Sequence, residues 1–218
     1  MRLKNKINKK ITGAAMIETL YVFPIVLVAL FAIIQLGLIF QSKSNLEYAA
    51  LMAARIGASQ SLNEASFQAM KEEVRHRMEA SDALKTGKSI TDADEINKVS
   101  LKVLRPNDDV FSSWSDGACP GADCLIPNDN LLYRDPNELR GSSGQELSIQ
   151  DANLLQLQVS YEIRTGVPLM AEILNGLADL TGQPNVSVTA VTVVRMQSPA
   201  TATDATKCYI AGLEDATC

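Results

Sequence analysis

Residues 9–18 read Lys9-Lys10-Ile11-Thr12-Gly13-Ala14-Ala15-Met16-Ile17-Glu18, and the next 24 residues, Thr19 to Ser42, carry no charge at all. A basic arm, a glycine, a few small or apolar residues, one carboxylate and then an apolar run follow in strict order. At a helical rise of about 1.5 Å per residue the run spans roughly 36 Å, enough to cross a hydrocarbon core of about 30 Å with some tilt. No second run of that length follows. One membrane span is therefore expected.

The flanks set its direction. Arg2, Lys4, Lys6, Lys9 and Lys10 give the arm five positive charges and no acid. Basic residues are retained on the cytoplasmic side, so the N-terminus is expected there and everything after about Ser42 across the membrane. The organisation expected is a basic leader over residues 1–13, the transmembrane half of a long helix over 14–42 and an exported domain over 43–218. The chain carries a formal charge of −5 with the arm included, so the rest is more acidic still. Such a domain repels phosphate instead of releasing counterions, which argues against a nucleic-acid partner. All four cysteines, Cys119, Cys124, Cys208 and Cys218, fall in the exported part. An even count in an oxidising compartment favours disulfides, with the local pairs Cys119–Cys124 and Cys208–Cys218 expected among three connectivities. Metal is not expected: the spacings are C-x4-C and C-x9-C, and the only histidine, His76, is remote.

The membrane helix does not end at the membrane. After Gln41, Leu46, Ala49, Ala50, Ala53 and Ala54 recur at three-and-four spacing, and nothing breaks a helix before Gly57. One helix from about Ala15 to Ile56 is predicted, with a kink or local unwinding at Pro24, which cannot donate to the Leu20 carbonyl. Ser61-Leu62-Asn63-Glu64 reads as a capping box opening a second helix, with Leu62, Ala65, Ala69, Met70, Val74 and Met78 inward and His76 among solvated charges. Val99, Leu101 and Val103 alternate with polar residues, as do Leu155, Leu157, Val159, Tyr161 and Ile163. Both read as strands of an antiparallel sheet wet on one face. Pro168 starts a predicted helix closed by Gly182, and Val186 to Met196 reads as a last strand. Between Arg105 and Gln150 lies a long stretch rich in Asp, Asn, Pro, Gly and Ser, read as a solvated loop stapled by a disulfide. Its aspartates match no EF-hand spacing. The fold class is α+β: a long N-terminal transmembrane helix continuing into a soluble domain with a small antiparallel sheet and packed helices.

No catalytic set is present. There is no G-x-S-x-G, no H-E-x-x-H and no phosphate-binding loop; Gly141-Ser142-Ser143-Gly144 has no strand before it and no lysine after it. The chain is not expected to be an enzyme or to hold a cofactor.

Glu18 is the residue that asks for a reason. A carboxylate at the bilayer centre costs roughly 2.5–3.5 kcal/mol, less near the interface. Two accounts are open. Glu18 sits in the headgroup layer at a helix start, where the dipole favours an anion; or the chain is cut after Gly13 and the new amine of Ala14 meets Glu18 of a neighbouring subunit. Gly13, Glu18 five residues on, Pro24 six further, and the apolar run to Phe40 resemble the prepilin-type N-terminus of the TadE-like minor pilins of tight-adherence (type IVb, Flp-type) pilus systems. Asn45, Ala53, Ala54 and Arg55 echo the family's text after the membrane. The short major pilins of such systems carry Glu-Tyr together, whereas here Glu18 precedes Thr19 and a long exported domain follows.

The resemblance implies a minor pilin or pseudopilin, cleaved by prepilin peptidase between Gly13 and Ala14, with Glu18 and Pro24 serving subunit assembly. Its implied partners are other pilin and minor pilin subunits, the peptidase, the inner-membrane assembly platform and membrane lipid, and its implied role is to initiate, prime or cap an adhesive filament. The competing readings are a signal-anchored envelope protein whose exported domain binds a ligand or partner, and a secreted protein with a cleaved signal. An apolar region of this length is too long for the second of these.

Overall fold

The computed structural model describes residues 11–86, 99–117, 119, 121, 124–142, 146–162, 176 and 187–212. The first element, α1, is one helix from Ile11 to Ser59, 49 residues, roughly 70 Å long. It runs through Pro24 without a break, so the unwinding expected there is absent. The proline removes one backbone donor from the ladder. The two halves of α1 live in different surroundings. Along the first half Leu20, Phe23, Ile33 and Phe40 are bare, while Leu46, Ala49, Ala50, Ala53, Ala54 and Ala58 are fully buried. Among the described residues, α1 is the one helix long and apolar enough to cross a membrane.

A tight turn returns the chain into α2 (Glu64–Thr86). Here the expected cap is corrected by two residues. The side chain of Asn63, not Ser61, accepts from the Ser66 amide at 2.8 Å. Ser61 is drawn out of that role by long-range partners: its amide donates to Ser198 Oγ at 2.8 Å, and its carbonyl accepts from the Thr201 amide and hydroxyl. Ser61 and Leu62 consequently both sit in the left-handed region, at φ 64° and 52°. Asn63→Ala is expected to destabilise the domain by about 1 kcal/mol in urea unfolding, whereas Ser61→Ala leaves that cap in place. The inward stripe of α2 also differs from expectation. Ser66, Phe67, Met70, Val74 and Met78 are buried, while Ala65 is exposed and Ala69 half-buried. On the outer face Glu73 pairs with Arg77, and Arg75 pairs with Glu72 and Glu79. The hydrogen bond from Arg75 lowers the Glu72 carboxyl from its ordinary range.

Three antiparallel strands, β1 (Val99–Arg105), β5 (Leu154–Glu162) and β6 (Ser187–Arg195), form a sheet in the order β1-β5-β6. The register pairs Leu101 with Val159 and Val159 with Ala190, so one apolar face is continuous across all three strands. Leu155, Leu157, Val159 and Tyr161 are fully or almost fully buried, and Gln156, Gln158 and Ser160 on the other face are half-buried. The distal half of α1 packs against β5, β6 and α2. Small residues make that approach close: a Cβ on Gly57 would lie 2.7 Å from Met70 Sδ and 3.2 Å from Leu155 Cδ2.

The stretch 105–150 is not the open loop that its composition predicts. It folds into α3 (Asp108–Trp114), β2 (Leu125–Ile126), a 3-10 turn (Leu131–Tyr133), β3 (Leu139–Arg140), β4 (Leu147–Ser148) and α4 (Ile149–Ala152). Val110, Phe111, Trp114 and Ile126 are buried in the common core. Trp114 Nε1 donates to the Leu147 carbonyl at 3.2 Å, and β2 pairs with β7 (Ala200–Thr201). At Gly141 the backbone is at φ 136°, a conformation that favours glycine; the adjoining Ser142 amide donates to Asp109. This part of Gly141–Gly144 is a structural turn. Of the helix expected from Pro168 to Gly182 only Gly176 is described, and it is helical; the rest of it, and Ile163 of the central strand, lie outside the described residues.

Candidate functional site: the N-terminal segment

The residues singled out for processing and assembly all lie on α1. Gly13 and Ala14 occupy its first turn, where backbone donors have no intrahelical partner. Glu18 follows one turn later and is exposed. Among the described residues no ion pair involves it. It heads a shallow apolar groove along the helix, lined by Thr19, Val22, Phe23 and Val26. Pro24 is exposed beside that groove. The carboxylate thus stands at the mouth of an apolar strip that this subunit leaves largely open. A cation reaching Glu18 would be in a setting with little polar competition, which strengthens a pairing over its worth in water.

Two polar residues farther along the run were not singled out from the sequence. Gln35 is buried although its neighbours Ile34 and Leu36 are exposed, and its side-chain carbonyl oxygen has no hydrogen-bond partner. Ser42 is also buried, and its hydroxyl donates to the Leu38 carbonyl at 2.9 Å. A glutamine inside an otherwise apolar membrane-length run is the signal that marks the first of these.

Beyond the apolar half of α1, the described residues show no comparable concentration of chemistry. Cys119 and Cys124 form a disulfide with Cα atoms 4.9 Å apart. Cys208 is disulfide-bonded too, but Cys218, its expected partner, lies outside the described residues. His76 is exposed on α2. Among the described residues no three histidine, cysteine or acidic side chains gather as a metal site. The Asp108–Asp109 pair begins α3, where Asn107 caps the helix by accepting from the Val110 amide at 3.2 Å.

No curated protein and no solved structure matches the chain. The N-terminal segment, by contrast, is identified: residues 13–55, from the glycine of the first turn to the alanine-rich stripe and its arginine, match the family of TadE-like proteins.

Proposed function

We propose that this chain is a non-enzymatic subunit of a tight-adherence pilus, a minor pilin or pseudopilin held in the inner membrane by the first half of α1. Prepilin peptidase cuts it between Gly13 and Ala14, removing the basic leader on the cytoplasmic side. The exported domain then stands in the periplasm or beyond, fixed to the membrane half by the same helix. Partners in this reading are other pilin subunits, the membrane assembly platform and lipid. Cys208 pairs with Cys218 and closes the C-terminal tail. The match over residues 13–55 carries the reading, because it joins the glycine, the carboxylate and the apolar run in one segment.

The geometry supports a subunit role more than a ligand-binding one. A helix buried on its domain half and largely bare along its membrane half, Gln35 and Ser42 excepted, can leave the bilayer only by exchanging lipid for another apolar surface, which a bundle of like helices supplies.

N-terminal mass analysis of membrane-extracted protein tests this directly. The wild-type chain should begin at Ala14, and Gly13→Leu should accumulate a precursor longer by residues 1–13. A mature chain that still begins at residue 1, or one cut beyond Ser42, would point to the signal-anchored or secreted alternatives.

A further inference from the structure

The uncharged run from Thr19 to Ser42 is longer, by about four residues, than a hydrocarbon core of about 30 Å needs, so the core can sit toward either end of it. Placed over about residues 23–42, it leaves Glu18 among the headgroups. Placed one to two turns earlier, it takes Glu18 in.

The fold distinguishes the two placements. From Glu18 to Val26 every side chain of α1 is exposed. Beginning at Phe31, one stripe of the helix is covered by the chain itself: Phe31, Ala32, Leu38 and Ile39 are half-buried, and Gln35 and Ser42 are buried. The elements that flank this side of α1 are polar. α2 runs antiparallel to α1, with Met70 beside Gly57 and the Arg77 guanidinium 4.8 Å from the centroid of the Tyr48 ring. Both helices rise equally per residue, so Thr86 at the end of α2 comes level with about Ile39. Charge goes with it. Arg75, Arg77 and Glu79 form ion pairs, and Asp82 and Lys85 follow in the sequence.

The sheet reaches the same way. The Gln197 amide, just past β6, donates to the Ala58 carbonyl, and β6 packs back along α1 from there. Its first residue, Ser187, and the Glu162 paired with it therefore point toward the membrane half, and both are exposed. Hydrocarbon does not accept a rim of this kind, so the core ends short of it. The run itself changes character at the same level. From Val22 to Ile34 no side chain carries a polar atom, and then Gln35, Gln41 and Ser42 follow. With the core ending there, the unpartnered Gln35 carbonyl oxygen lies within a turn of hydrated headgroups and not in mid-bilayer, where it would be costlier.

We propose that the folded domain is a depth stop whose polar rim, the end of α2 and the Glu162–Ser187 end of the sheet, rests on lipid headgroups. The hydrocarbon core then covers about residues 16–35 of α1, and Leu36 and Phe40 stand in the headgroup layer. At the opposite edge Glu18 is drawn about two residues inside the core, where a carboxylate stays charged only beside a cation. The stop thus sets how deep Glu18 lies, and it rests on the single-span reading above.

Full-length chains with one added cysteine, expressed without the rest of the pilus system, test the boundary with a membrane-impermeant maleimide applied on the domain side. Cys119, Cys124 and Cys208 are disulfide-bonded, and the wild-type chain gives the background. Ser44→Cys, Phe40→Cys and Val26→Cys replace side chains that the fold leaves exposed, so lipid and not the fold shields them. Phe40→Cys should label like Ser44→Cys and Val26→Cys roughly tenfold less, because hydrocarbon admits neither the reagent nor the reactive thiolate. In inverted vesicles Leu20→Cys should be shielded as well. Shielding of Phe40→Cys to the level of Val26→Cys, or labelling of Leu20→Cys from the opposite side, overturns the stop and leaves the span standing. If Val26→Cys labels like Ser44→Cys, or Ser44→Cys is itself shielded, the single-span reading falls and the stop with it.

Discussion

Phe67→Ala is expected to destabilise the α+β domain by about 3–5 kcal/mol, a large share of the 5–15 kcal/mol typical of a folded domain. Phe67 is fully buried on α2, and its ring stacks on Tyr209 with centroids 4.4 Å apart and planes at 17°. Tyr209 is also capped by Lys71, whose ammonium lies 4.8 Å from the ring centroid and donates to the phenol oxygen at 3.0 Å. The next residue, Ile210, bridges to Val103, and Ala211 donates to the Val103 carbonyl at 2.9 Å. Removing the Phe67 ring therefore opens a cavity at α2 and loosens the segment that lies along the edge of β1. The lone tryptophan, Trp114, is buried in the same core and reports the transition by fluorescence. In detergent-solubilised protein the urea midpoint should fall sharply while the slope stays unchanged. Lys71→Met, which keeps the aliphatic stem and loses the charge, should cost about 1 kcal/mol or less. Equal effects of the two substitutions would show that the stacked pair is not what ties α2 to the sheet edge.

The second large effect is expected at Glu18. Replacing it by alanine removes a charge from the head of the apolar run, so insertion becomes easier and not harder. The protein should remain membrane-bound and be cut after Gly13. Under the subunit reading proposed above, what should be lost is co-purification with other pilin subunits, because the amine of Ala14 on a neighbour would then have no carboxylate to meet. The open groove of Thr19, Val22, Phe23 and Val26 beside Glu18 is where such a neighbour would lie. A Glu18→Ala protein that inserts, is processed and associates like wild type would favour the headgroup account. Loss of insertion itself would contradict both accounts.

The long periods in the chain were legible and the short ones were not. α1, α2, β1 and β5 each repeat an apolar spacing often enough to declare their type, β6 is β-branched throughout, and the alternation in β5 assigns its buried face. The stretch 105–150 escaped because α3 has seven residues and β2, β3 and β4 have two each, too few for any period to emerge. Its order comes from contacts distant in sequence, such as Trp114 with Leu147 and Leu125 with Thr201. The cap of α2 was misplaced for a related reason. Ser61 and Asn63 both have capping side chains, and only the long-range clamp by Ser198 and Thr201 decides between them. Phe67 was overlooked because alanines at 65 and 69 offered a competing stripe. At the N-terminus the opposite holds: Gly13, Glu18 and Pro24 were conspicuous as text, while the fold adds only that they share one open helix.

That α1 is unbroken from Ile11 to Ser59 makes it a torsion rod as well as an anchor. Each residue turns the helix by about 100°, so the azimuth of Glu18 relative to the sheet is set by the number of residues between them. Inserting one alanine after Lys43 would leave every contact within each half intact, yet swing the groove about 100° around the axis and shift it about 1.5 Å. Inserting four would return the groove to within about 40° of its starting direction, one turn lower. Angular phase, separately from composition or length, is thus a property this helix transmits from the membrane to the domain.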